Sequence, residues 1–208
     1  LQKKIILEFM SVLPRSFYTR ADVVRIAREL LGKYLVTQLD GQLTSGIICE
    51  TEAYAGISDK ASHAFGGRRT RRTEVMYRTG GTAYIYLCYG MYSLFNIVTN
   101  VEEIPHAILI RGIMPSEGLE NIRKRIGINE FKKDTGIGPG KVSKILGIHY
   151  SHTGCDLTQK PVKKTGIGIW LEDRGMIINS KKILSGPRIG VQYAGKDATL
   201  PYRFQIFL

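Results

Sequence analysis

The chain is short of cysteine and short of acid, and it has no long apolar run. Its three cysteines, Cys49, Cys88 and Cys155, are odd in number and form no close pair. That argues against a disulfide framework and against a zinc site built on paired thiolates. Cys49 and Cys88 fall in apolar, strand-like stretches, where a buried thiol is the ordinary expectation. No window approaches the roughly 20 apolar residues needed to span a bilayer. The start shows no signal-peptide pattern, so a reducing intracellular location is expected. Internal repeats and low-complexity tracts are also missing.

The shortage of acid leaves 30 Lys+Arg against 18 Asp+Glu, a formal charge of +12. Such a charge concentrates polyanions near the surface and speeds association with them. Simple solvation, nucleic acid and an anionic membrane surface all fit that charge. At 208 residues the chain is long enough for one domain with a sizeable core.

Residues 1–18 read as an irregular arm that ends in Pro14-Arg15-Ser16-Phe17-Tyr18. Thr19 with Asp22 forms a plausible capping box, and Val23, Val24, Ala27, Leu30 and Leu31 give one apolar helical face that Gly32 ends. Strands are expected at Lys33–Gln38 and Leu43–Thr51 around the hairpin pair Asp40-Gly41. Periodicity then disappears between Tyr54 and Gly81, a glycine- and arginine-rich stretch too long for an idle loop. Strands resume at Thr82–Cys88, Ser93–Thr99 and His106–Ile113. Short helices start at Pro115-Ser116 and at Pro139, and Pro187–Tyr193 and Tyr202–Phe207 read as closing strands. Without βαβ alternation, the expectation is an α+β fold with a curved, largely antiparallel sheet and surrounding helices.

The chemistry-bearing stretch begins at Glu50-Thr51-Glu52-Ala53-Tyr54. On a strand both glutamates share one face, either as solvated edge carboxylates or as the wall of a cleft. His63 follows in Ala61-Ser62-His63, and a lone histidine of this sort is commonly structural. Tyr84 and Tyr86 share a strand face, with Tyr89 and Tyr92 at the next turn. Such a face is commonly core or interface, but tyrosines interleaved with arginines also suit stacking on bases beside phosphates.

Taken together, these motifs resemble the alkyladenine (3-methyladenine, methylpurine) DNA glycosylases of mammalian type, from about Phe17 onward. The resemblance rests on Glu50–Tyr54, Ala61–His63, Arg71-Arg72-Thr73 before Met76-Tyr77, and Tyr84–Tyr92 with Asn96-Ile97. Leu109-Ile110-Arg111, Gly138–Lys141, Gly186–Val191 and Pro201–Phe204 follow in the same order. It implies one glycosylase domain over residues 1–208, a monomer that flips damaged purines out of double-stranded DNA and hydrolyses the N-glycosidic bond. No metal or organic cofactor, no membrane partner and no lyase step are implied. The location implied is the bacterial cytoplasm, with the nucleoid.

By resemblance Glu52 is the general base that activates water, and Arg111 orients that water and a phosphate. The flipped purine would lie between Tyr54 and Tyr86, with the His63 backbone N–H reading its edge and Tyr84 orienting the imidazole. Asn96 would crowd the 2-amino group of guanine, and the carbonyl near Ile189 would approach the other edge. Tyr89, supported by Met91, would fill the gap in the duplex, while Arg68, Arg69, Arg71, Arg72, Lys141 and Arg188 would meet phosphates. The sequence departs from the family at Ile57-Ser58, where proline is usual, and at Glu102-Glu103, which lengthen a connection. The N-terminal extension of some relatives is not expected.

Two rival readings exist. Gly136–Lys141 with Asp156 resembles a helix-hairpin-helix glycosylase, and it leaves Glu52, His63 and the tyrosines unused. A basic binding module would use the tyrosines for stacking and make Glu52 incidental.

Overall fold

The computed structural model describes residues 11–162 and 166–207. Its centre is a nine-stranded sheet in which every paired strand runs antiparallel to its neighbour. Strands β1 (Ser11–Val12), β2 (Tyr34–Leu39), β3 (Gln42–Tyr54), β4 (Ala83–Cys88), β5 (Tyr92–Thr99), β6 (His106–Glu117) and β7 (Gly168–Asp173) take the order β1-β7-β2-β3-β6-β5-β4. Strands β8 (Leu184–Gly186) and β9 (Arg203–Gln205) lie off that path, with β9 joining β3.

The α+β mix stands, but the expected curved sheet is corrected. The strand order is open, with separate ends at β1 and β4, and it forks at β3 instead of bending round. Strand length is the reason. The 13-residue β3 outruns its partner β2, which pairs only as far as Ile47, and β9 takes the vacated edge from Glu50 to Glu52.

The expected irregular arm is also corrected where it can be followed; residues 1–10 lie outside the described residues. Ser11 and Val12 pair with Asp173 and Glu172, and the one-turn helix α1 (Arg15–Tyr18) buries Tyr18 completely. Helix α2 (Val23–Glu29) is capped by Asp22, whose side chain accepts the Arg25 N–H, so Thr19 is not the cap. Its face of Val23, Ile26 and Ala27 is buried, and Thr51 of β3 ties to the Ala27 carbonyl at 2.9 Å.

Both hairpin tips use positive φ. Asp40 and Gly41 (50° and 71°) join β2 to β3, and Tyr89 and Gly90 (51° and 70°) follow β4. β6 runs on through Pro115 to Glu117, so α3 (Leu119–Ile126) begins later than the proline suggested. α4 (Pro139–Leu146) buries Val142, Ile145 and Leu146 against β5 and β6. The 187–193 segment is not a strand; after β8 the chain leaves the sheet and turns through 3-10 geometry at Gln192–Thr199. β7 and the short β1 and β8 are strands the sequence pattern does not announce.

Register places the site. Arg203 faces Glu52, Glu52 faces Leu109, Leu109 faces Asn96, and Asn96 faces Tyr84 across β9, β3, β6, β5 and β4. Directly opposed residues share a sheet face, so five strands present one transverse row on the same side.

Candidate active site

Glu52 is completely buried, and both its carboxylate oxygens are held. Oε1 accepts the Ile189 N–H and Oε2 accepts the Tyr54 hydroxyl, each at 2.8 Å. The Arg111 Nε lies 3.3 Å from Oε1. Burial pushes the Glu52 pKa up, and this outweighs the opposing pull of Arg111, the Ile189 amide and the Tyr54 hydroxyl; the Glu50 charge adds to the rise. A carboxylate so placed is a stronger base than one in water.

Tyr54 reaches back to Glu52 because residues two apart share a strand face. The groups that hold Glu52, namely Tyr54, Arg111 and Ile189, form part of the wall of a cavity of about 440 Å³ together with His63, Tyr84, Tyr86 and Asn96; Glu52 itself lies behind that wall and is not part of it. Tyr84 and Tyr86 lie with ring centroids 5.5 Å apart, and the His63 ring stands edge-on to Tyr86 at 4.7 Å. The His63 Nδ1 meets the Tyr84 hydroxyl at 2.8 Å, and its Nε2 meets the Arg72 Nη2 at 2.8 Å. A guanidinium can only donate, and the same Arg72 Nη2 also lies 3.1 Å from Nδ1, so either ring nitrogen can be its acceptor. Burial, followed by Arg72 and Arg68, lowers the His63 pKa to about 4, which keeps the imidazole neutral at pH 7. Asn96 is buried, its Nδ2 donating to the Tyr84 and Leu94 carbonyls at 3.1 Å.

Tyr89 and Met91 stand at the β4–β5 hairpin tip, 88% and 70% exposed. Arg68, Arg71 and Arg72 are exposed on the long loop, and the Arg72 guanidinium covers the Tyr86 ring at 4.7 Å. Arg69 is more committed, paired with Glu74 at 2.9 Å and Glu103 at 2.6 Å and stacked on Tyr77. Lys141 is exposed beside Asp134 at 3.2 Å.

Arg188 sits apart from these surface cations. It is buried under Tyr54, its ring-face contact 4.8 Å, and it forks onto Asp59 and the carbonyls of Ala53 and Asp197. A guanidinium so enclosed is turned away from solvent, so its placement differs from the surface one expected of a phosphate contact. The motif that contains it looks cationic in sequence, but burial gives the charge a structural partner.

Sequence reasoning also passed over Tyr193, Val191 and Leu109, which line the cavity. Tyr193 bonds to the Ala61 carbonyl at 3.2 Å from a segment that reads as a strand, so its approach to the cavity left no periodic signal. The rival Asp156 is bound to Arg15 at 2.7 Å and to Thr158, and takes no part in the cavity wall. In the glycine run before α4, Gly136 serves close packing, since a Cβ there would lie 1.9 Å from the Ile113 carbonyl oxygen, and Gly138 serves a positive φ of 113°.

A buried carboxylate thus lies behind an aromatic cavity that Arg72 and Arg111 border, an arrangement with the shape and charge to receive an anion-bearing ring. The comparisons with known proteins name the class. The chain belongs to the methylpurine-DNA glycosylase family, which it matches over residues 16–207. It is 45% identical over 199 residues to a protein of Chlamydia felis named as a proposed 3-methyladenine DNA glycosylase, covering 93% of this chain and 95% of the relative. Similarly named proteins of Bacillus cereus strain G9842 and Bdellovibrio bacteriovorus are 42% and 40% identical, covering 92% and 94% of this chain and 93% and 95% of theirs. Among the described residues no helix is long and apolar enough to cross a membrane.

Proposed function

We infer that this chain is a monofunctional DNA glycosylase of base excision repair, hydrolysing the N-glycosidic bond of damaged purines. The observation that carries the site assignment is Glu52: fully buried, raised in pKa, and fixed behind a tyrosine-walled cavity. As the base departs the sugar becomes oxocarbenium-like, and a carboxylate there both accepts a proton from water and stabilises positive charge. Arg111 borders the same cavity, placed to orient that water and a neighbouring phosphate.

The flipped purine stacks between Tyr54 and Tyr86, with each ring–cation contact worth about 1 kcal/mol for a positively charged methylated base. The His63 backbone N–H reads its edge, and Tyr84 fixes the imidazole. A neutral His63 has no surplus proton to offer the leaving group, so hypoxanthine and ethenoadenine depend on fit and on protonation from elsewhere. Ile189 flanks the opposite edge. Tyr89 and Met91 fill the duplex, which offsets the few kcal/mol that extrusion costs. We place residues 1–208 in one such domain, acting as a monomer of the mammalian type in the bacterial cytoplasm on 3-methyladenine, 7-methylguanine, hypoxanthine and ethenoadenine.

Release of each of these four bases from duplex oligonucleotides tests the assignment. Asn96→Ser is expected to raise guanine-lesion release relative to adenine-lesion release roughly 10-fold, by analogy with other small pocket changes. An unchanged ratio removes Asn96 as the discriminating group. Salt gives a second test. If Arg68, Arg71, Arg72 and Lys141 meet four phosphates, duplex affinity should fall about 10²-fold between 50 and 200 mM salt. An affinity insensitive to salt would contradict that surface.

A further inference from the structure

We propose that Glu50 is a positioning residue for the reaction, holding the Arg111 guanidinium edge-on to Glu52 while Arg203 balances its charge. The inference rests on the reading of Glu52 as the base and concerns a residue that this reading leaves idle.

Glu50 is 5% exposed, so it is not the solvated strand carboxylate that its sequence neighbourhood allows. A buried carboxylate must be paired to be tolerated, and Glu50 has two cations. Its Oε1 accepts the Arg111 Nε–H at 3.3 Å and the Arg203 Nη1–H at 3.0 Å. The Arg111 Nε is equally far from Glu52 Oε1, 3.3 Å, but only the Glu50 contact has the alignment of a hydrogen bond. Arg111 therefore spends its Nε–H on Glu50 and lends Glu52 only its charge.

The backbone is arranged for this. The β3–β6 register steps from Ile48↔Ile113 to Glu50↔Gly112 and then to Thr51↔Ile110, so Cys49 and Arg111 face no residue directly. Such a bulge re-aims a side chain. Gly112 opposite Glu50 keeps the space clear, since a Cβ there would lie 3.0 Å from the Glu50 Cβ. With Nε anchored at the back, the guanidinium borders the cavity.

The charges facing Glu52 are Arg111 from β6, Glu50 and the Tyr54 hydroxyl from β3, Arg203 from β9, and Arg188 from the segment after β8. Two carboxylates and two guanidiniums, Glu50, Glu52, Arg111 and Arg203, form a neutral quartet. Removing either outer member must change Glu52 in opposite directions. Glu50→Gln deletes a repelling charge and frees Arg111 for Glu52, so the Glu52 pKa falls. Arg203→Gln deletes an attracting charge and leaves Glu50 to draw Arg111 away, so the Glu52 pKa rises.

The test is single-turnover base release from a hypoxanthine duplex across pH, with duplex affinity measured alongside. Because the carboxylate form is active, rate is lost as pH falls through the Glu52 pKa. Glu50→Gln should move that acid limb to lower pH and slow the plateau about tenfold; Arg203→Gln should move the limb to higher pH. Both variants should bind the duplex as the parent does. Slower release with both limbs unmoved, or moved the same way, overturns the proposal and leaves Glu50 a purely structural residue. If one variant does not fold, the direction of the other's limb decides. Undiminished release by Glu52→Gln would instead remove the base assignment itself, an outcome separate from either limb.

Discussion

Glu52→Gln is expected to abolish base release while leaving duplex binding intact or slightly tighter. The substitution is nearly isosteric, so packing around a completely buried side chain is preserved. Its two donors, the Ile189 N–H and the Tyr54 hydroxyl, remain serviceable. The amide oxygen accepts from Ile189, and the tyrosine hydroxyl rotates to accept from the amide nitrogen. What disappears is basicity, and loss of a positioned general base costs roughly 10²–10⁴ in rate, or about 3–5 kcal/mol of barrier. Removing a negative charge beside a bound polyanion does not weaken binding. Single-turnover release from an ethenoadenine duplex, paired with a gel-shift titration, separates the two effects. Parent-like release would remove Glu52 as the general base. A borohydride-trappable protein–DNA adduct would replace water by a protein nucleophile, against the monofunctional mechanism.

The residues around Glu52 show how far a sequence carries such a site. Strand pairs with local turns were legible: Asp40-Gly41 marks one hairpin, and Tyr84 and Tyr86 fall on one face of β4 as alternation requires. The transverse row from Arg203 to Tyr84 was not, because it depends on register between strands as distant in sequence as those of Glu52 and Arg203. Period-two patterns fix which face a side chain takes, and they carry no information on its neighbour across the sheet. The fork at β3 escaped for the same reason. β9 is only three residues long, and its place on the edge beyond β2 is a tertiary choice.

Charge misled where hydropathy did not. Glu50 read as either a solvated edge carboxylate or the wall of a cleft, and Arg188 was expected by resemblance at a phosphate, yet both are buried, each meeting an opposite charge from a distant segment. The family resemblance located the cavity residues by ordered motifs. It offered no role for Asp59 or Arg203, whose work is visible only once the pairs are seen.

Arg188→Met should destabilise the fold by about 3–5 kcal/mol, the usual cost of breaking one side of a buried ion pair. Asp59 is 3% exposed, and without Arg188 its carboxylate would keep only the backbone N–H groups of Ala55 and Ala61. The Ala53 and Asp197 carbonyls would lose donors as well. For a chain of this size each kcal/mol shifts Tm by about 2–4 °C, so a fall on the order of 10 °C is expected. Arg25→Gln is the control: it breaks the exposed Arg25–Glu29 pair at 2.8 Å and should leave Tm almost unmoved. Adding Asp59→Asn to Arg188→Met removes the stranded charge and should recover part of the loss. The pair joins the Ala55–Ala61 loop, the strand under Tyr54 and the Ile189 segment. Base release measured well below the lowered Tm should therefore still be slowed, because Tyr54 and the Ile189 N–H are the groups that hold Glu52. A Tm within about 3 °C of the parent, no more than the roughly 2–4 °C that a loss of 1 kcal/mol gives, would mean that Asp59 finds water or another partner. The buried pair would then not be what organises this side of the pocket.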